Sequence, residues 1–249
     1  MMTLAEQRRA IRPLLHENDP VDALSAYYAY YHDDKKTHLV LFPPESRQAA
    51  GYLCFSRTGI DLFRPLVTMR LPADPAKVSE LFYSAMPEGT DVFIQAPAIY
   101  LPILGALFEI QKEEYLKLYH LKSGRFKPII NVLVTRQDTP DGQVGFVIRE
   151  SSQDVPRSES QVVASAWLNW QSPRFAEISV RTQSAYRRRG LGRSVVSATA
   201  QYILENGRTP LYVVAEQNEA SIQLAESLGF TDTGARDVIL EARLRPKVY

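Results

Sequence analysis

Apolar and polar positions follow two periods along this chain, one helical and one alternating, and the elements they predict come in nearly the same order in both halves. Helical patterns open it at Leu4 to Leu15 and Pro20 to His32. The second carries Tyr27, Tyr28, Tyr30 and Tyr31, which cannot all share one helix face, so some should meet another element or a ligand. Strand-like runs at Thr37 to Phe42, Ala50 to Ser56 and Arg64 to Arg70 precede a helix from Asp74 to Met86. A strand Asp91 to Gln95, a helix Ala98 to Glu109 and a strand Glu113 to His120 complete the first half. The second half reads as strands Ile129 to Thr135, Gln143 to Arg149, Val162 to Trp170 and Phe175 to Thr182. After them come a helix Ser194 to Gly207, an apolar strand Pro210 to Ala215, and a helix from Asn218 to Phe230 that ends at Gly229. Asp138-Thr139-Pro140-Asp141-Gly142 is a turn signal, and the polar, Ser-rich stretch Glu150 to Ser160 predicts an exposed loop. The expected fold is α/β with two mixed-sheet halves, a first domain of residues 1–125 and a second of 126–249, divided near Lys122 to Pro128.

Between the strand Phe175 to Thr182 and the helix after it stands Arg187-Arg188-Arg189-Gly190-Leu191-Gly192-Arg193-Ser194. An open helix start offers unpaired backbone N–H groups and the positive end of the helix dipole, and glycines let an anion approach the backbone. The stretch reads as a phosphate cradle. The corresponding stretch of the first half, Leu71-Pro72-Ala73-Asp74-Pro75, has no glycine and has prolines that remove amide donors, so no phosphate site is expected there.

The order strand, R-x-x-G-x-G, helix, strand, N-x-x-S-x-x-L-A-x-x-L-G-F over Val162 to Arg236 resembles the acyl-CoA-binding half of the GNAT superfamily of N-acyltransferases. The wording A-E-I-S-V-R-T, Y-R-R-R-G-L-G and N-E-A-S-I-Q-L-A-E-S-L-G-F looks most like its bacterial small-molecule acetyltransferases. The resemblance implies that the backbone of Val180, Arg181 and Thr182 pairs with pantetheine amides. It further implies that Arg187, Arg188, Arg189, Gly190, Leu191, Gly192, Arg193 and Ser194 hold the pyrophosphate, and that Asn218 and Ser221 touch the pantetheine arm. Glu177 would be the catalytic base, or alternatively a substrate ligand or a structural ion-pair partner, with Glu216 a weaker candidate. The co-substrate would be acetyl-CoA or another short acyl-CoA, and the acceptor a primary amine of a small molecule; the alternative is a non-catalytic acyl-CoA-binding or regulatory module. The first half would be a degenerate GNAT-like copy.

The chain departs from that pattern in three places. The tyrosine that protonates the CoA thiolate in many relatives is Ala225 here, leaving Tyr186, Tyr212, Tyr249 or a water. The glutamate of relatives that acetylate protein N-termini corresponds to Val213. No helices precede the second half's central strand, where the superfamily has two. The acceptor pocket is expected from the first half and the loop Glu150 to Ser160, with Trp167 and Trp170 either lining it or filling the core.

Composition narrows the classes. The 249 residues are 45% apolar and 23% charged, a globular balance, and 29 basic against 28 acidic residues leave a net charge of +1. No global field gathers nucleic acid or anionic membrane, so neither is an expected partner. The longest apolar stretch, Ile99 to Phe108, is far short of the ~20 residues that span a bilayer. Cys54 is alone and forms no internal disulfide, and Met1 to Arg12 carries charges where a secretory segment needs an apolar run, which points to the cytoplasm. His16, His32, His38 and His120 lack ligand spacing, so no metal is expected. Nothing in the sequence speaks to oligomeric state.

Overall fold

The computed structural model of the chain describes residues 2–140, 142–150 and 160–247. They form two compact units, Met1–Leu116 with Ala235–Tyr249, and Lys117–Gly234.

The first unit opens with α1 (Leu4–Ile11), started by a capping box in which Thr3 and Glu6 satisfy each other's backbone N–H groups. Pro13 stands in the short 3₁₀ turn that ends this pattern early. The second expected helix is α2 (Ala23–Ala26), which continues as a π-helical turn over Tyr27–Tyr31. Next come β1 (Thr37–Phe42), β2 (Gly51–Ser56), β3 (Leu66–Arg70), α3 (Pro75–Ala85) and β4 (Asp91–Pro97). A 3₁₀ turn leads into α4 (Leu101–Leu107), and β5 (Phe108–His120) begins earlier than Glu113. β1, β2 and β3 form an antiparallel meander, and β3 runs parallel to β4 over only Leu66↔Phe93 and Val67↔Ile94.

β6 (Thr135–Asp138), β7 (Val144–Arg149), β8 (Val162–Gln171) and β9 (Phe175–Thr182) form the antiparallel part of the second unit's sheet. α5 (Leu191–Glu205) crosses over to β10 (Thr209–Ala215), which lies parallel to β9. α6 (Glu219–Ser227) follows, and then β11 (Thr231–Leu244). The apolar face of α5, including Val195, Val196, Ala200 and Ile203, packs with Ala164, Ala166, Ala176 and Ile178 of the sheet and with Tyr212 and Phe230 in one core. Each unit therefore contains a meander, a crossover helix and a parallel partner strand.

Three expectations are corrected. β11 was not anticipated, and residues 235–249 belong with the first unit instead of the second. The cause is pairing: Asp237–Arg243 runs antiparallel to β4, and Val238, Leu240, Ala242 and Leu244 are buried in the first unit's core. Burying each of the larger side chains is worth ~1.5–3 kcal/mol, which fixes the segment there. The run Ile129 to Thr135 is not a strand before Thr135, where β6 begins. The Ile129 N–H donates to Ser197 Oγ of α5 at 2.8 Å and the Leu133 N–H to Asn131 Oδ1 at 3.0 Å, while Ile130 and Val132 stand 93% and 86% exposed. The single cut near Lys122 to Pro128 gives way to a division at Leu116 and again at Gly234.

Candidate functional site

β9 and β10 are neighbours only at their beginnings. Phe175↔Thr209, Ala176↔Pro210 and Leu211↔Glu177 pair in register, and no pairing joins Ile178–Thr182 to Tyr212–Ala215. β8 holds the other edge of β9 along its length, from Ala176 to Thr182. The edge of β9 that faces β10 is thus not paired with β10 over Val180, Arg181 and Thr182, a stretch that an extended, amide-bearing chain could join.

The fork leads to the start of α5. Gly190 is the N-cap residue in the left-handed region, at φ 75°, where a Cβ costs ~1–2 kcal/mol, and nothing lies within 4 Å of where that Cβ would stand. The backbone N–H groups of Leu191, Gly192 and Arg193 are those a helix leaves without internal partners. A Cβ on Gly192 would lie 2.9 Å from Thr182 Oγ1 and 3.3 Å from Leu224 Cδ1, so this glycine lets the helix start close against the end of β9 and against α6.

Arg187, Arg188, Arg189 and Arg193 are exposed and, among the described residues, have no acidic partner. The Arg187 side chain is anchored by Nε to the Thr182 carbonyl at 3.3 Å, and Arg189 lies over the Tyr186 ring, 5.2 Å from its centroid. Arg188 itself has a left-handed backbone, φ 60°. Ser194 lies on the inner side of the first turn. It is buried, its N–H and hydroxyl both bond the Gly190 carbonyl at 3.1 Å, and Asn131 Nδ2 donates to its hydroxyl at 3.1 Å, so it shapes the first turn from within.

α6 closes the other side. The Asn218 side chain caps it by accepting from the Ser221 N–H at 3.2 Å, so its carboxamide oxygen is engaged and its amide nitrogen remains. The Ser221 hydroxyl bonds the Tyr212 hydroxyl at 2.7 Å, and Tyr212 is the residue at which β10 leaves β9. Burial raises the Tyr212 phenol and the bond to Ser221 opposes the shift. Ala225 is fully buried in the core, where a tyrosine would have to displace packed neighbours. Tyr186 donates its hydroxyl to Glu150. Tyr249, Asp141 and residues 151–159 lie outside the described residues, and with them most of the expected loop.

Glu177 sits at the crotch of the fork, the last residue of β9 that pairs with β10. A bulge between Leu168 and Trp170 of β8 turns two donors toward it: Asn169 Nδ2 to Oε1 and Trp170 Nε1 to Oε2, each at 2.7 Å. Burial raises its pKa, and those two hydrogen bonds pull it back. The bulge, and with it the role of Asn169, carries no local sequence signal. Trp170 is a core residue with a second task, while Trp167 is half-buried on β8. Glu216 is half-exposed and pairs with Lys117 at 3.6 Å. Cys54 is fully buried in the first unit, its thiol pushed up to about 11 by burial. Among the described residues no group of His, Cys, Asp and Glu could hold a metal, and no helix is long and apolar enough to cross a membrane.

The profile of the family described as FR47-like protein matches residues 158–238, the span from β8 through α5 and α6 into β11. No curated protein matches the chain. Among solved structures it is similar to a GCN5-related N-acetyltransferase from Kribbella flavida, at 16% identity over 88% of this chain and 95% of that one, with a TM-score of 0.59. A GCN5-related N-acetyltransferase from Sphaerobacter thermophilus gives 12% identity, 99% and 95% coverage and a TM-score of 0.58. A tandem GNAT protein from the clavulanic acid biosynthesis pathway gives 13% identity, 98% and 95% coverage and a TM-score of 0.59. At such identities the fold is what these proteins have in common with the chain. The chain thus has the fold of these GNAT proteins, and the match to the FR47-like family lies across its forked strands and glycine-started helix.

Proposed function

We propose that the second unit binds acetyl-CoA or another short acyl-CoA and transfers the acyl group to the primary amine of a small molecule. The observation that carries this reading is the fork: a strand edge not paired with β10 from Ile178 to Thr182 that runs into a helix start ringed by exposed arginines. Val180, Arg181 and Thr182 would pair through their backbone with the pantetheine amides, beside Asn218 and Ser221. Arg187, Arg188, Arg189 and Arg193, with the amides of Leu191 and Gly192, would hold the pyrophosphate. Anions gain from N-terminal amides, the dipole and guanidinium groups together.

The reaction needs a neutral amine, since an alkylammonium of pKa about 10 has no free lone pair at pH 7. The amine nitrogen attacks the thioester carbonyl carbon; a C–N bond forms and the C–S bond breaks. The nitrogen's proton passes to Glu177, directly or through water, and the departing sulfur takes a proton from Tyr212 or from water. Attack occurs within a ternary complex, where positioning supplies much of the acceleration. Tyr212 is the best supported of the three tyrosines, because its hydroxyl is hydrogen-bonded to Ser221, which in this reading stands beside the pantetheine arm.

The first unit is then a copy of the fold without a cradle. α3 begins at Asp74, whose carboxylate already accepts from the Ala76 N–H at 3.0 Å, with Pro75 in the first turn. A helix start that carries its own anion does not attract another. The second reading, a non-catalytic acyl-CoA-binding module, is favoured by the buried Ala225 and by both Glu177 oxygens being engaged by protein donors. CoA release from acetyl-CoA across an amine panel separates the two. Turnover that depends on Glu177 supports transfer, and tight acetyl-CoA binding with release at background for every amine supports the module.

A further inference from the structure

β9 has two faces as well as the edge that parts from β10. Val180 packs with the core that holds α5, and Thr182 reaches the α5 start, whereas Glu177, Ser179 and Arg181 alternate onto the opposite face. On that face Arg181 lies directly across from Ser165 of β8. Together with Gln161 and Gln183 they line a cavity of about 460 Å³, within the size range of small-molecule sites. Arg181 is exposed and, among the described residues, has no acidic partner. Gln183 is held in place by its amide nitrogen, which donates to the Val162 carbonyl at 2.6 Å. A guanidinium offers five N–H donors and no acceptor, so the group that fits against it is a carboxylate or a phosphate.

The cofactor's pyrophosphate is already provided for at α5, on the other side of the strand. Glu177 and Arg181 stand four residues apart on one face, ~13 Å along the strand, a gap narrowed by the length of the arginine side chain. A molecule with its amine at Glu177 and its anion at Arg181 has several bonds between the two.

We propose that the acceptor is an amine that also carries an anionic group, of the ω-amino acid kind, and that Arg181 with Ser165 forms the subsite that selects it. The proposal rests on the acyl-transfer reading for the identity of the acceptor, but its binding test does not need turnover. The test is calorimetric titration of matched pairs, 6-aminohexanoate against hexylamine and lysine against 1,5-diaminopentane, into the wild-type chain and Arg181→Gln, each saturated with CoA and, separately, free of it. A charge-assisted contact predicts that the carboxylated member of each pair binds about ten-fold tighter or better, and that Arg181→Gln erases the difference. Equal binding within each pair, a preference that survives in Arg181→Gln, or no binding of either member overturns it. Titration of acetyl-CoA into the same two proteins is the second arm. A loss of acetyl-CoA affinity in Arg181→Gln, without any change in the amine pairs, assigns the guanidinium to the cofactor and likewise overturns the proposal. Failure of acetyl-CoA to bind the wild type instead strikes the acyl-transfer reading, and the amine pairs in the CoA-free protein still decide the subsite.

Discussion

Glu177 shows how a single residue can be legible in type and hidden in setting. Its place on a strand before the cradle is visible in the sequence, but the Asn169 and Trp170 donors reach it only through a bulge. Burial raises the carboxyl above its ordinary value of about 4.3. A carboxyl raised on folding stabilises the fold fully below its unfolded value, and that contribution is lost as the pH rises through the folded one. A base, in contrast, works only once it is ionised, so activity should climb across the same interval. Trp170→Phe removes one donor to the ionised form, which shifts the carboxyl further up. The acid limb of the kcat/KM profile is therefore expected to move to higher pH in this variant; an unmoved limb would separate Glu177 from the proton transfer. Tyr212→Phe should lower kcat by about 10²-fold or more if its hydroxyl protonates the sulfur, with acetyl-CoA affinity retained, as measured by steady-state kinetics beside a binding titration.

At the scale of elements, the start of α5 decides whether there is a site at all. Gly192→Val would put branched carbon where a Cβ alone is 2.9 Å from Thr182 Oγ1. Overpacking of this kind costs ~1–3 kcal/mol, and the variant should both melt lower and lose its response to acetyl-CoA. Arg188→Ala is the complement. It changes an exposed side chain, so stability should stay within about 0.5 kcal/mol while acetyl-CoA binds several-fold more weakly, and more so at low salt. These elements could be read from sequence because their signals are local: glycines, a cap and a helical period. β11 could not be read so easily. Val238, Leu240, Ala242 and Leu244 do alternate, but their partner β4 lies far back in the chain, and only pairing gives the alternation a buried face. The run at Ile129 misled for the opposite reason, since β-branched composition says nothing about backbone N–H groups captured by side chains, that of Ile129 by Ser197 of α5 and that of Leu133 by Asn131.

For the molecule as a whole, the two units share an order of elements but not a chemistry. The α3 start is capped by Asp74 and the α5 start by a glycine, so ligand-linked stabilisation should fall on the second unit alone. The net charge of +1 leaves the arginines at α5 as a local feature, not part of a basic surface. The most direct test of the central claim, an acyl-CoA site built by the β9 fork and the α5 start, is the melting temperature with saturating acetyl-CoA, with CoA and ATP as phosphate-bearing controls. Ligand at about 100 times Kd adds roughly 2.7 kcal/mol, and a chain of this size responds by about 2–4 °C per kcal/mol. The account predicts a rise of several degrees with acetyl-CoA and CoA, a smaller one with ATP, and none with acetyl-CoA in Gly192→Val. An unchanged melting temperature with every CoA species would contradict it.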